Sequence, residues 1–204
     1  MLYVNVGDYK NVWDELIRDI PQMRELATEH FDNWKDTKAF ATKTLSASQI
    51  NNSDVVTDNN RDDNSKNIIA DNSSEDTSDN ITGIHGFYHK NIFEAVYCTN
   101  LLMRSADVLV TKPSELAFYP VPKLFIKRVG GHEQWGAVHS AEIGDGTLEC
   151  RDIPHTLQMI KLFMEDDTYI IDMCKNIKKN KQMGIYNGAY EAVKLAVNMK
   201  KSDI

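Results

Sequence analysis

The sequence predicts an α/β fold, a parallel sheet with helices on both faces, followed by a run of helices. Three observations predict it. Short apolar runs alternate with stretches of helical spacing about four times, the order that builds strand–helix–strand crossovers. One run, DVLVT at 107–111, is apolar through its centre, as a strand covered on both faces requires. The runs end in Gly, Ser, Thr, Lys or acidic residues, which is how open α/β sheets line ligand clefts at the carboxyl ends of their strands.

Residues 2–6, LYVNV, read as the first strand, broken by Gly7 and Asp8. Val12, Leu16, Ile17 and Ile20 have helical spacing, and Pro21 ends or restarts that helix. Residues 23–45 also read as helical, with Leu26, Ala27, Phe31 and Trp34 on one face. Residues 46–80 are dominated by Asn, Asp and Ser, hold no aromatic residue and carry few large apolar ones. Such a stretch cannot bury enough surface to offset its ordering entropy, so a disordered insertion is expected there. Residues 1–45 and 81–204 are expected to form a single domain around it. Residues 81–84 read as a strand ending in a polar turn that carries His85 and Gly86. A helix over 91–105 follows, with Asn91 as its cap and Ile92, Val96 and Tyr97 inward.

Residues 108–110 and 124–129 are predicted to be neighbouring parallel strands, both buried on both faces. Between them, 114–119 allow one or two helical turns before Pro120 and Pro122 stop them. A helix is expected over 134–143, then a tight turn at Gly144-Asp145-Gly146, then a short strand over 148–150. From Pro154 onward three helices are marked, by Leu157, Ile160 and Met164, by Ile170, Ile171, Cys174 and Ile177, and by Ala189, Ala192, Val193 and Ala196.

The formal net charge is −7 over 204 residues. Its location matters more than its size. Residues 46–80 carry seven Asp and one Glu against Arg61 and Lys66, so −6 of the −7 sits in the insertion. The rest is nearly neutral, and no broad basic face argues for nucleic acid. No apolar run is long enough to span a membrane. The opening MLYVNVGDYK lacks a basic and then apolar leader pattern. The three cysteines, Cys98, Cys150 and Cys174, form no Cys-x-x-Cys pair, and reduced, mostly buried thiols in a cytoplasmic protein are expected.

Several strand ends carry residues with chemical potential. Thr111, Lys112, Pro113, Ser114 and Glu115 stand between a strand and a short helix. Free N–H groups there can hold an anion and Lys112 adds charge, or the segment is a capping motif whose charges face water. Gly130 and Gly131 permit close backbone approach to a ligand, and His132, Glu133 and Gln134 follow. The His132-Glu133 pair is not a zinc-protease motif, because the second histidine of that motif would fall at Gly136. Gly7 and Asp8 could approach a phosphate or form a plain turn. His85, Phe87 and His89 could flank a planar base or belong to the core. The phosphate loop of ATPases is absent, and no Ser-His-Asp series or carboxylate pair stands out.

Three segments together resemble the C-terminal, donor-binding half of GT-B glycosyltransferases, of the lipid II-forming N-acetylglucosaminyltransferase and diacylglycerol galactosyltransferase kind. They are ADVLVTKPSE at 106–115, PVPKLFI at 120–126, and HEQWGA at 132–137 with Gly144-Asp145-Gly146 beyond it. The resemblance implies a Rossmann-like domain that binds a nucleoside diphosphate sugar. It places Thr111, Lys112 and Ser114 near the diphosphate and Glu115 on the ribose. It places His85 and Phe87 near the base, and His132, Glu133 and Gln134 near the sugar. It implies no cofactor and no metal. Lys112 and Pro113 stand where the family has glycines, Gly136 where it has Asn, and Gly7 alone where it has a glycine-rich run. GT-B enzymes are two such domains, and this chain matches one. The expectation is a donor half that needs an acceptor half or subunit, with no transmembrane segment and room for peripheral membrane contact. The alternative is a non-catalytic interaction or regulatory protein on the same fold.

Overall fold

The computed structural model describes residues 1–53 and 82–202. The chain divides into two compact units, Met1–Ser105 and Ala106–Ile204. The architecture is mixed α/β, and the described strands form two small, wholly parallel sheets.

The first unit runs β1 (Leu2–Asn5), α1 (Lys10–Asp19), α2 (Gln22–Leu26), β2 (Ala27–Phe31), α3 (Trp34–Ser53), β3 (Ile84–Tyr88) and α4 (Ile92–Arg104). The middle strand is β3, flanked by β1 and β2. Its register sets Gly86 opposite Val4 and Glu29, and Phe87 opposite Asn5 and His30. Side chains alternate along β3. On one face, Trp13, Ile17 and Met23 pack with Val4, Val6, Ala27, Phe31 and Ile84. On the other, Phe87 packs with Phe40 of α3, Leu102 of α4 and Tyr3 of β1. Helices thus cover both faces.

Trp13 anchors the first face. It is 1% exposed, its indole N–H donates to Glu29 Oε1 at 2.9 Å, and its ring meets Phe31 edge-on at 5.7 Å. The fit requires Gly86, since a Cβ there would lie 2.3 Å from the indole.

Three expectations need correcting here. Residues 27–31 are a strand, not part of a helix over 23–45. On one face β2 offers the polar, hydrogen-bonded His30, and on the other Ala27 and Phe31 flank Glu29, so the strand shows no apolar alternation, and Ala27, Phe31 and Trp34 mimic a helical stripe. The strand expected over 81–84 is instead β3, so His85 and Phe87 lie inside a strand rather than beyond its end. Ile92, Val96 and Tyr97 of α4 point outward, and Ala95, Cys98, Leu102 and Met103 are buried. The small Ala95 and Cys98 lie on the buried side of α4, where Cys98 meets Thr37 of α3, and Asn91 caps the helix by accepting from the Phe93 N–H at 2.9 Å. Helix α3 continues to Ser53, into the expected insertion, and 54–80 lie outside the described residues.

The second unit runs β4 (Leu109–Thr111), a 3-10 turn (Glu115–Phe118), β5 (Lys123–Phe125), a 3-10 turn (Gly131–Glu133), α5 (Gln134–Ile143), α6 (Ile153–Glu165), α7 (Thr168–Gln182), a 3-10 turn (Ile185–Asn187) and α8 (Gly188–Ser202). The parallel pairing of β4 and β5 is as expected, with Val110 opposite Leu124. Burial on both faces holds only for β5, whose three residues are fully buried, whereas Val110 is 48% exposed. Phe125 packs with Ala117 and Ala137, and Leu124 packs with Cys150 and Phe163. The strand stops at Phe125, before the expected end at 129. Residues 148–150 form no strand, although Thr147 N and Cys150 N donate to Lys123 O and Phe125 O at 2.9 and 2.8 Å. The three C-terminal helices are present. Asp152 caps α6 by accepting from the His155 N–H at 2.8 Å. Cys98 and Cys150 are buried, and Cys174 is exposed.

Gly86→Ala tests the packing of Trp13. The added methyl overpacks the indole, and chemical denaturation is expected to show a loss of about 1–3 kcal/mol.

Candidate functional site

A parallel pair puts both strand exits on one edge, and the exits of β4 and β5 carry most of the residues singled out in the second unit. Thr111 ends β4, and its carbonyl accepts from the Ile126 N–H at 2.9 Å, which holds the two exits together for one step past the ladder. The chain then turns tightly, with Ser114 N donating to Lys112 O at 2.8 Å. Pro113 is buried, and its carbonyl packs on Gly136 of α5, where a Cβ would lie 2.7 Å away. That contact accounts for glycine at 136. Ser114 precedes the 3-10 turn without capping it through its side chain. Glu115 opens that turn.

On the β5 side, 126–130 lead to the turn Gly131–Glu133 and then to α5. Glu133 organises this loop. Its Oε2 accepts from the N–H groups of Val129 and Gly130 at 2.8 and 3.0 Å. Its Oε1 accepts from Lys112 Nζ at 2.7 Å. Lys112, then the Gly130 and Val129 N–H groups, hold its carboxyl down at about 2. Glu133 is 7% exposed, while the Lys112 side chain is 45% exposed. The pair therefore consists of a fixed acid and a solvent-reaching base. Gly131, His132 and Gln134 are exposed beside it, and nothing stands within 4 Å of a Cβ built on Gly131. The structure thus joins Thr111, Lys112 and Ser114 to Gly130, Gly131, His132, Glu133 and Gln134 through one charged hydrogen bond.

Gly7, Asp8, His85 and Phe87 belong to the first unit. Gly7 has φ +62°, and nothing lies within 4 Å of a Cβ built on it. Its glycine therefore meets a backbone requirement, and its carbonyl accepts from the His89 N–H at 2.9 Å. Phe87 is fully buried and His85 is 7% exposed, so both are core side chains of β3. Among the described residues, no group of three or more His, Cys, Asp and Glu side chains is placed to hold a metal, and no helix is long and apolar enough to cross a membrane. A groove along α3, lined by Trp34, Lys35, Lys38, Ala39, Thr42 and Lys43, borders none of the expected site residues.

Two buried polar clusters were not read from the sequence. In the first unit, Asp36, His30, His85 and the Thr82 carbonyl form a chain of contacts, and Thr37 Oγ1 lies 3.1 Å from His89 Nε2. In the second, Lys123 and Asp145 form a fully buried ion pair at 2.8 Å. Lys123 Nζ also donates to the carbonyls of Tyr119 and Val121, at 2.8 and 2.9 Å, so all three ammonium protons are used. Tyr186 OH donates to Asp145 Oδ2 at 2.7 Å. Burial lowers the Lys123 pKa against the pull of Asp145, while burial and then Asp145 raise that of Tyr186. A lysine in a strand and an aspartate between glycines give no sequence signal of pairing across 22 positions other than their placement at a strand start and a turn.

The chain belongs to a family described as a domain of unknown function (DUF6938), whose model matches residues 1–72 and 48–197. No curated protein and no solved structure was found to match it.

Glu133 supplies a test of the loop. In the unfolded chain its carboxyl titrates near 4.5, and in the fold near 2. Its contribution to stability is therefore complete above 4.5 and lost as pH falls through 2. Carboxyl 13C titration is expected to find Glu133 still ionised where ordinary glutamates are protonated. Lys112→Ala is expected to move its midpoint upward.

Proposed function

We propose that the chain is the donor half of a GT-B-like glycosyltransferase, a Rossmann-like module that binds a nucleoside diphosphate sugar and needs an acceptor half for turnover. One observation carries the reading: the parallel exits of β4 and β5 are held together by the Lys112–Glu133 bond at 2.7 Å. A ligand at those exits meets a cation, two adjacent glycines and the first turn of α5. Carboxyl ends of parallel strands are where α/β sheets receive nucleotides.

In this reading Lys112 neutralises the leaving diphosphate, aided by the N-terminal dipole of α5. Glu115 holds the ribose hydroxyls. Gly130 and Gly131 allow close approach, and His132 and Gln134 face the sugar. Glu133 shapes the loop and keeps Lys112 in reach. Gly7 and Asp8 turn the chain into α1, and His85 and Phe87 support β3 from within. The reading places the protein in the cytoplasm, with peripheral membrane contact where its acceptor is lipid-linked. Helix α8 favours an incomplete assembly: Tyr190, Val193, Leu195, Val197 and Met199 are all about half exposed or more.

Isothermal titration with a panel of nucleoside diphosphates tests the proposal. Binding of one of them at millimolar concentration or below is expected. Charge-assisted hydrogen bonds are worth about 1.5–3 kcal/mol, so Glu115→Ala should weaken binding roughly ten- to a hundredfold with little change in stability. Lys112→Ala should weaken the diphosphate more than the bare nucleoside. If no nucleoside diphosphate binds at millimolar concentration, the donor-site reading falls and the non-catalytic interaction protein replaces it.

A further inference from the structure

The polar chain under the first sheet can be read by counting protons. Asp36 Oδ2 lies 2.6 Å from His30 Nδ1, His30 Nε2 lies 3.2 Å from His85 Nδ1, and His85 Nε2 lies 3.1 Å from the Thr82 carbonyl. Each of these contacts needs one proton between its two atoms. The Thr82 carbonyl can only accept, so His85 Nε2 carries a proton. With His85 neutral, its Nδ1 accepts and His30 Nε2 must donate. His30 Nδ1 then faces a carboxylate, and a bare nitrogen there would set two lone pairs against each other. Two neutral imidazoles and an ionised carboxylate hold two ring protons between them, and the chain of contacts needs three.

The geometry points to an imidazolium at His30, paired with Asp36 and backed by a neutral His85, acting as a proton-gated latch between the first turn of α3 and the β2–β3 pair. The surroundings agree with this placement of the charge. The Phe87 ring stacks on His30 at 4.7 Å and 10°, and Phe40 is tilted against it at 4.9 Å, so the cation lies on an aromatic face. His85 is pushed toward its neutral form, first by burial and then, against the pull of the Thr82 carbonyl, by His30 and the N-terminal amine of Met1. The Tyr3 phenol approaches from β1, its ring edge-on to Phe40 and Phe87. Asp36 faces His30 from α3 and is 45% exposed, so the buried proton has a route to solvent at that end.

The latch responds to rising pH. In the unfolded chain an ordinary histidine gives up its proton near about 6.5. A trio that holds a third proton in the fold binds more protons than two neutral imidazoles and a carboxylate do, so the native state loses stability when that proton is removed. His85 and His89, both lowered by burial, act in the opposite sense and cost stability on acidification below about 6.5.

Histidine-selective 15N NMR of the whole chain, recorded at about pH 7.5 and so about a unit above an ordinary histidine, tests this. His30 is expected to show both ring nitrogens protonated and His85 only Nε2. Asp36→Asn is expected to strip the second ring proton from His30 at the same pH. In the wild type, amides of the first turn of α3 are expected to exchange faster, relative to intrinsic rates, once the pH is high enough to remove it. A His30 with one bare ring nitrogen in the wild type overturns the proposal, as does an unchanged His30 in a folded Asp36→Asn chain. Exchange in α3 that ignores the titration overturns the latch. The wild-type spectrum decides even if the variant does not fold.

Discussion

The pairing of β3 with β1 on one side and β2 on the other constrains the first unit more than any other contact. Both pairings are parallel, so all three strands leave the sheet at the same edge. Each connection must cross a face of the sheet, and the helices that do so cover it. A strand in that position has no solvent side, and IHGFY meets the demand in an unusual way. One face gives up a side chain at Gly86 so that the Trp13 ring can approach the backbone closely. The other holds Phe87 beside two histidines that are satisfied by one another and by Asp36. For these two histidines the hydrogen bonds are made internally, which is the condition for burying polar groups, whereas the buried Tyr3 Oη and His89 Nδ1 have no partner among the described residues.

The second unit solves a similar problem with a full ion pair. Burying Lys123 and Asp145 carries a desolvation cost of several kcal/mol per ion, and the pair is tolerated only when its remaining hydrogen bonds are filled. Lys123 meets that condition with two carbonyls besides the carboxylate. Asp145 meets it on Oδ2 alone, and Oδ1 has no partner among the described residues. Together the bonds join β5, the turn at Gly144–Gly146 and the segment of Tyr186. The backbone is joined at the same place, with Lys123 N donating to Asp145 O at 3.1 Å. The cluster anchors the start of β5.

Much of this architecture was legible in the sequence, and the misses share a cause. The three C-terminal helices, α5 and the β4–β5 pair follow from apolar periodicity and from the turn residues that separate them. Strand β2 reads as helix in the sequence because its most buried residue is His30, which periodicity counts as exposed. The inward face of α4 was misplaced because its contact is made by Ala95 and Cys98, small residues that a search for bulk passes over. At the candidate site, strand-end chemistry drew attention to Thr111–Ser114 and to Gly130–Gln134, and the two segments meet. The partner of Lys112 could not be read, since Glu133 is 21 positions away and a pairing at that distance depends on the loop being folded.

That pairing bears on how a proposed donor site could be both closed and receptive. Without ligand, an uncompensated Lys112 beside the positive end of α5 would be unfavourable, and Glu133 balances it. The acid does not depend on the lysine for its position, because the Val129 and Gly130 N–H groups hold it independently. Lys112 can therefore turn toward a diphosphate while the loop keeps its shape. An ammonium on a flexible stem, half exposed, gains more from two phosphate groups than from one carboxylate already shared with two amides. The exchange leaves Glu133 charged and close to an anion, which sets an upper limit on affinity. It also makes departure of the diphosphate easy, since the lysine has a partner waiting. On the proposed reading, a site built this way would favour release of the diphosphate over its retention.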